Sequence, residues 1–289
     1  MAQGKQALKG RIRSVSATRK ITSAMELIAN AKLQKQRVQM EKNREYADTL
    51  RQMVSQILAN NPDSDCVYLK KNQSPRTLTF MFTSDMGLCG AYNANLLRMA
   101  QEILDPQDPM IVIGTKGTST LRQKGFNLIH EPIGSDHVDF YVFNDLADEA
   151  LNLYVDGEIG KIQILYCQFV NAVTFTPQLL TLLPVSPMER EGREFKVETL
   201  FEPGPDEILK SLIPMYVRSL LYSTHMQTKT AEQGSRRVAM ESATDNADEL
   251  IDKLTLQYNQ ARHILYNRTR PLHGVPCGGL FFCGGEVEK

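Results

Sequence analysis

The sequence predicts an α/β protein: a long antiparallel coiled coil of N- and C-terminal helices with an inserted Rossmann-like α/β domain. Three observations predict it. Residues 5–59 and 206–262 carry apolar residues spaced by three and four, with Pro214 as the one proline in either stretch. Between them, short apolar runs alternate with helical patterns, the grammar of a largely parallel sheet. A helix over 206–262 would be about 85 Å long, which suits a shaft packed on a second long helix or sleeved by other subunits.

In chain order, residues 5–59 read as one helix. Its apolar triplets are Leu8, Ile12, Val15, then Ile21, Met25, Ile28, then Leu50, Val54, Ile57, with small Ala24, Ala29 and Ala31 between them. The register slips between triplets, as in a locally irregular coiled coil. Asn60-Asn61-Pro62-Asp63 ends the helix. Thr77–Thr83, Met110–Gly114 and Lys161–Val170 read as strands, and Thr174–Leu183 as an extended edge segment. Tyr92–Leu104, Thr118–Lys124 and Asp145–Val155 read as helices, and 185–205 as a connector. The domains are therefore 1–60, 75–185 and 206–267, with an irregular tail over 268–289. In the last helix Val238, Met240, Ala243, Ala247, Leu250, Ile251, Leu254, Tyr258 and Ala261 form the apolar stripe. Ser223–Arg237 is almost wholly polar, so it is expected to face water or a partner's polar surface.

Composition is that of an ordinary globular chain, 42% hydrophobic and 23% charged, with zero formal net charge. The charge is uneven: residues 1–60 hold twelve Lys and Arg against four Asp and Glu. A basic helix beside an acidic body points to an acidic partner surface. Five scattered cysteines with no CxxC fit a reducing compartment. No apolar run reaches the roughly 18 residues of a membrane span, and no signal-peptide core is read at the N-terminus.

Candidate chemistry is sparse. Gly87-Leu88-Cys89-Gly90 lies between a strand and a helix, where a phosphate can be cradled, but its spacing is not GxGxxG. Gly114-Thr115-Lys116-Gly117-Thr118 superficially resembles a P-loop and lacks the four-residue spacer. Asp136, His137 and Asp139 form a polar turn, and His225, His263 and His273 show no paired metal spacing. Cys89, at a helix N-terminus, has the setting of a low-pKa thiol, although a small residue filling a tight turn explains it as well. The basic helix lacks aromatic base-stacking residues apart from Tyr46, so nucleic acid is not the expected partner. No catalytic site, cofactor, metal or small-molecule substrate is expected.

Several segments together resemble the gamma subunits of rotary F-type ATP synthases. These are Arg19-Lys20-Ile21-Thr22-Ser23-Ala24-Met25-Glu26-Leu27, Thr83-Ser84-Asp85-Met86-Gly87-Leu88-Cys89-Gly90-Ala91-Tyr92-Asn93, Phe201-Glu202-Pro203-Gly204-Pro205, Ala243-Thr244-Asp245-Asn246-Ala247 and Tyr258-Asn259-Gln260-Ala261-Arg262. The family usually has Arg at Met86, Gly at Ala91 and Gln at His263. The resemblance implies a non-catalytic central rotor shaft of a proton-translocating ATP synthase. Its implied partners are the alpha and beta subunits of the catalytic head, the epsilon subunit and the membrane rotor ring. The implied location is peripheral, on the cytoplasmic face of a bacterial plasma membrane. Met25, Arg236 and Arg262 match positions that face the beta subunits, and Ser84, Asp85, Gly87, Leu88, Cys89 and Gly90 match the central loop. The readings that compete with it are a coiled-coil adaptor presenting an α/β domain and, third, a nucleotide-binding α/β enzyme with helical arms.

The resemblance stops abruptly after Arg262. From Pro271 there are five glycines and two cysteines in nineteen residues. Each interior Gly costs a helix about 1 kcal/mol and each Pro about 3 kcal/mol, so this run cannot be the family's helical tip. A reading-frame change produces such a break; a lineage-specific tail is the alternative. Translating the gene in its other frames past codon 262 decides between them. A helical, glycine-poor tip in one frame is expected, and stop codons in both would refute the frame change.

Overall fold

A computed structural model of the chain describes residues 2–61, 64–70, 72–136, 138–185 and 204–269, with side chains described between Lys5 and His263. The elements are α1 (Ala2–Asn60), β1 (Thr77–Phe82), α2 (Tyr92–Ile103), β2 (Met110–Ile113), α3 (Thr115–Gln123), α4 (Phe140–Val155), β3 (Lys161–Phe169), β4 (Phe175–Leu183) and α5 (Pro205–Thr269). Most of the expected tail lies outside the described residues. Helix α4 starts five residues before the expected Asp145, because the Asp139 carboxylate caps it, accepting from Tyr141 N and Val142 N. No helix among the described residues is long and apolar enough to cross a membrane.

The described chain forms two units. One holds the described residues of 22–243 and the other residues 2–21 with 244–269. In the larger unit the sheet order is β2-β1-β3-β4. Strand β1 runs parallel to β2 and β3, while β3 and β4 pair antiparallel. The sheet is thus mixed. A short turn joins β3 to β4, tied by Asn171 Oδ1, which accepts from Val173 N and Thr174 N. So short a connection allows only an antiparallel partner.

Alternate strand residues face opposite sides. Leu78, Phe80, Phe82, Ile111, Ile113, Ile162 and Ile164 share one core with α4, with Leu50, Val54 and Ile57 of α1, and with Leu209, Ile213, Val217 and Leu221 of α5. Met81, Val112, Leu165 and Cys167 share a second core with Tyr92, Leu96 and Ala100 of α2. Strands covered on both faces read as continuous apolar runs, which is why β1 and β3 were legible.

Two expectations for the helices fail. In α1 the triplet Ile21, Met25, Ile28 is not the buried stripe: Ile21 and Ile28 are exposed, and Ala29, Leu33 and Met40 are buried instead. The second concerns the polar stretch of α5. Ser223, Thr224, His225, Thr228, Lys229, Thr230, Glu232, Gln233 and Arg236 are all buried. Neither water nor a partner is needed to satisfy most of this stretch, because its own hydroxyls and charges are paired within the chain. Thr228 Oγ1 accepts from Cys167 N at 3.1 Å and meets Tyr92 Oη at 3.0 Å, docking α5 on β3 and α2.

In the smaller unit, Leu8, Ile12 and Val15 of α1 are half-buried, as the sequence predicts. On α5 Thr244, Ala247, Ile251, Leu254, Tyr258 and Ala261 are covered in a three-four alternation, flanked by the partly covered Asp248 and Asn259. Leu250 departs from the expected stripe and is exposed. Arg19 Nε lies 2.7 Å from Asp248 Oδ1, and Lys5 Nζ lies 5.6 Å from the centroid of the Tyr258 ring. The two segments therefore lie side by side in opposite chain directions.

Two stability outcomes follow from this packing. A Cβ at Gly234 would come within 2.6 Å of Phe175 Cε1 and Cζ, and the Phe175 ring packs against Phe169 at 6.1 Å, tilted by 37°. Alanine gains about 1 kcal/mol in helix propensity, but overpacking costs about 1–3 kcal/mol. Gly234→Ala is therefore expected to lower the denaturation midpoint, and adding Phe175→Leu to recover it; an unaided gain would show that the ring yields freely. The second outcome concerns His225, buried between Phe82 and Phe143 at ring distances of 5.4 and 4.8 Å. Burial, and then the charge of Lys229, push its pKa from 6.5 down to about 3, against a smaller opposing effect of Asp136. The folded state thus holds His225 neutral. Its contribution is complete above pH 6.5 and is lost as pH falls toward 3, with about 2 kcal/mol gone by pH 5. Melting curves between pH 7.5 and 5 should fall less steeply for His225→Phe; parallel curves would remove His225 from the acid response.

Candidate functional site

The loop after β1 sits where the strand order reverses, at the carboxyl ends of β1 and its parallel neighbours. In open α/β sheets that is where ligands bind. Here the chain's own groups occupy the position.

Asp85 does the work that a phosphate does elsewhere. Its Oδ1 accepts from Thr115 N at 3.0 Å, at the N-terminus of α3, and its Oδ2 accepts from Asp136 N at 2.8 Å. The two glycines of the segment that resembles a P-loop serve close packing. Thr83 Oγ1 accepts from Gly117 N and donates to Gly114 O, each at 3.0 Å. A Cβ at Gly114 would lie 2.2 Å from Thr83 O, and one at Gly117 2.5 Å from the Thr83 side chain. In the 114–118 segment the N–H groups of Gly114, Thr115, Lys116 and Gly117 donate to Ile133 O, Asp85 Oδ1, Ser84 O and Thr83 Oγ1.

The rest of the loop is held from inside and from α5. Ser84 N donates to Asn93 Oδ1 at 3.1 Å, and Asn93 Nδ2 donates to Ser84 Oγ at 2.7 Å. Cys89 is buried, with its Sγ 3.4 Å from Asn93 Nδ2. This places Cys89 as the small filler of a tight turn. Ser235 Oγ donates to Cys89 O at 2.7 Å, and Arg236 Nη2 reaches Met86 O at 3.3 Å and Gly87 O at 3.5 Å. Gly90 has φ +57°, and a Cβ there would press on Ser235 Oγ at 3.4 Å. Leu88 takes φ +61° without being glycine, a conformation costing about 1–3 kcal/mol that surrounding contacts must hold. With its carbonyls turned to α5, the loop presents Met86 and Leu88 outward, both more than 60% exposed.

Behind the loop lie four charges. Lys229 pairs with Asp136 and stands 3.3 Å from Glu232 Oε2, and Arg236 Nη2 binds Glu232 Oε1 at 2.8 Å. The Lys229–Glu232 approach is an ion pair without hydrogen-bond geometry, since Glu232 Oε2 has no hydrogen-bond partner. Burial raises the Asp136 carboxyl, but the hydrogen bond and charge of Lys229 outweigh it, aided by Lys32 and Arg236, and hold the group below the usual carboxylate range. Two cations balance two anions, with Lys229, Glu232 and Arg236 buried and the Asp136 side chain 40% exposed.

Of the expected site residues, the structure brings together Ser84, Asp85, Gly87, Leu88, Cys89, Gly90 and Arg236. Met25 is half-buried on α1, and Arg262 is exposed on the last turns of α5. The sequence reading missed Lys229, Glu232 and Ser235; it had Asp136 only as part of a polar turn and Asn93 only as the end of the 83–93 segment. Lys229, Glu232 and Arg236 are spaced three and four apart on a helix, a signal of one charged face; Asp136 comes to them only through the fold.

Comparison with known proteins now places the chain. The profile described as ATP synthase matches residues 4–264. The ATP synthase gamma chain of Halothermothrix orenii is 35% identical over 262 residues, 88% of this chain and 91% of that one. The ATP synthase gamma chain, sodium ion specific, of Acetobacterium woodii is 34% identical over 284 residues, 91% of this chain and 94% of that one. Among solved structures, the rotor of the Euglena gracilis mitochondrial ATP synthase shares the fold, with a TM-score of 0.64 at 18% identity, covering 92% of this chain and 100% of that one. By this similarity, over nearly the whole length of its relatives, the chain belongs to the ATP synthase gamma-chain family.

Proposed function

We propose that the chain is the central rotor shaft of a rotary ATP synthase, turning with a membrane ring and driving the catalytic beta subunits through unequal conformations. Residues 1–60 and 206–267 act as an antiparallel coiled-coil shaft, and 75–185 as a Rossmann-like domain fixed beside it. The partners are the alpha and beta subunits of the head, the epsilon subunit and the ring. The chain itself performs no bond chemistry, and it sits peripherally on the cytoplasmic face of a bacterial plasma membrane. The coupling ion is left open by similarity, since the sodium-specific relative is about as close, at 34%, as the 35% relative whose name carries no ion.

The observation that carries this reading is the buried polar face of α5. It joins the sheet domain to a 65-residue helix through charges and hydroxyls, so that a force on one is borne by the other. A second observation supports it. Ile21, Leu27 and Ile28 are exposed on α1 by 61%, 68% and 57%, beside Arg19 and Lys20, and a sleeve of partner subunits would cover them. Met25, Arg236, Arg262 and the 84–90 loop are the proposed contacts. A shaft acts by unequal contacts with differing partner conformers, which shifts their populations.

Two experiments test this. Affinity purification through this chain should recover alpha and beta subunits in three-to-one excess each, whereas an adaptor would not. In the assembled complex, Arg19→Glu with Lys20→Glu should leave ATP hydrolysis near the parent rate and lower ion transport per ATP severalfold. Unchanged transport would make that face merely solvated.

A further inference from the structure

We infer that Lys229 is a positioning residue: by neutralising Asp136 and bracing Glu232, it leaves Arg236 free to hold the 84–90 loop by the carbonyls of Met86 and Gly87. The inference concerns how the proposed contact loop is aimed, and its link to coupling rests on the shaft reading.

The geometry is a closed circuit. Asp85 accepts from Asp136 N. Asp136 pairs with Lys229, Lys229 with Glu232, and Glu232 with Arg236. Arg236 returns to Met86 and Gly87, next to Asp85 in the chain. Lys229 touches no atom of the loop in this circuit, yet it decides which acceptors Arg236 serves. The Arg236 charge is already felt at Asp136. Without the Lys229 ammonium, two carboxylates share one guanidinium: Glu232, at 2% exposure, and Asp136, whose side chain is 40% exposed. Glu232 is the buried carboxylate and keeps its hold on Arg236, while Asp136, half-exposed and stripped of its cation, adds a second pull that draws Arg236 from the neutral carbonyls. Those carbonyl bonds are the weaker ones, at 3.3 and 3.5 Å against 2.8 Å for Glu232. They give first, and with them goes part of the hold on the strained Leu88 backbone.

Cys89 reports the result. It is buried at 2% exposure inside the loop, while Cys66 and Cys167 are buried at 0% and 2% in the two cores. On the purified full chain, Lys229→Met should raise the rate of N-ethylmaleimide labelling at Cys89 by about tenfold, read per cysteine by mass spectrometry, with Cys66 and Cys167 unchanged. Adding Asp136→Asn removes the competing carboxylate, leaves Glu232 and Arg236 as a balanced pair, and should return Cys89 to near the parent rate. That double variant also guards against a single variant that fails to fold. Equal acceleration at all three cysteines, no acceleration at Cys89, or acceleration that Asp136→Asn does not reverse would each overturn the inference. In the assembled complex the same pair of variants should lower and then restore ion transport per ATP. A reversible labelling change with transport unmoved would uphold the positioning role and refute the loop as a coupling contact.

Discussion

Three buried charges, Lys229, Glu232 and Arg236, with the half-exposed Asp136 that pairs with Lys229, are the constraint on which the rest of the larger unit depends. Charges at this depth persist only when each has a partner, and these partners come from two remote segments, the 134–136 turn and the middle of α5. Bringing them together fixes where α5 crosses the ends of the strands. It thereby fixes the loop after β1, whose carbonyls supply the remaining acceptors for Arg236. Apolar packing alone would let a helix slide along a sheet face; paired charges and hydroxyls allow one register.

The same arrangement sets the chain's own groups at the switch point of the α/β sheet. The helix N-terminus that elsewhere receives a phosphate receives the Asp85 carboxylate, and the crevice is filled by Ser235 and Arg236. What is a ligand site in other sheets has become a joint between a domain and a long helix. A joint of this kind suits a part that bears torque.

Much of this was legible in the sequence. The strands were, because Phe80 and Ile164 face one core while Met81 and Leu165 face the other, leaving unbroken apolar runs. The long helices were, from three-four spacing that persists from Leu50 to Ile57 and from Ala247 to Ala261. The antiparallel course of β4 was not, since an edge strand's direction depends on the short turn at Asn171. The burial of Ser223–Arg237 was also hidden: polar residues read as solvent-facing unless their partners are known, and Asp136, Cys167 and Tyr92 lie far away in sequence. The loop motif pointed to the right place, with Arg236, but could not show that Lys229 and Glu232 stand behind it.

Rotation tests the shaft role most directly. Tyr141, 76% exposed on α4, offers a point for a bead attached through Tyr141→Cys, with the catalytic head fixed to a surface. On addition of ATP, a shaft turns the bead continuously in one direction and stops when ATP is exhausted. Sustained ATP hydrolysis with the bead fluctuating about one angle would contradict a shaft role.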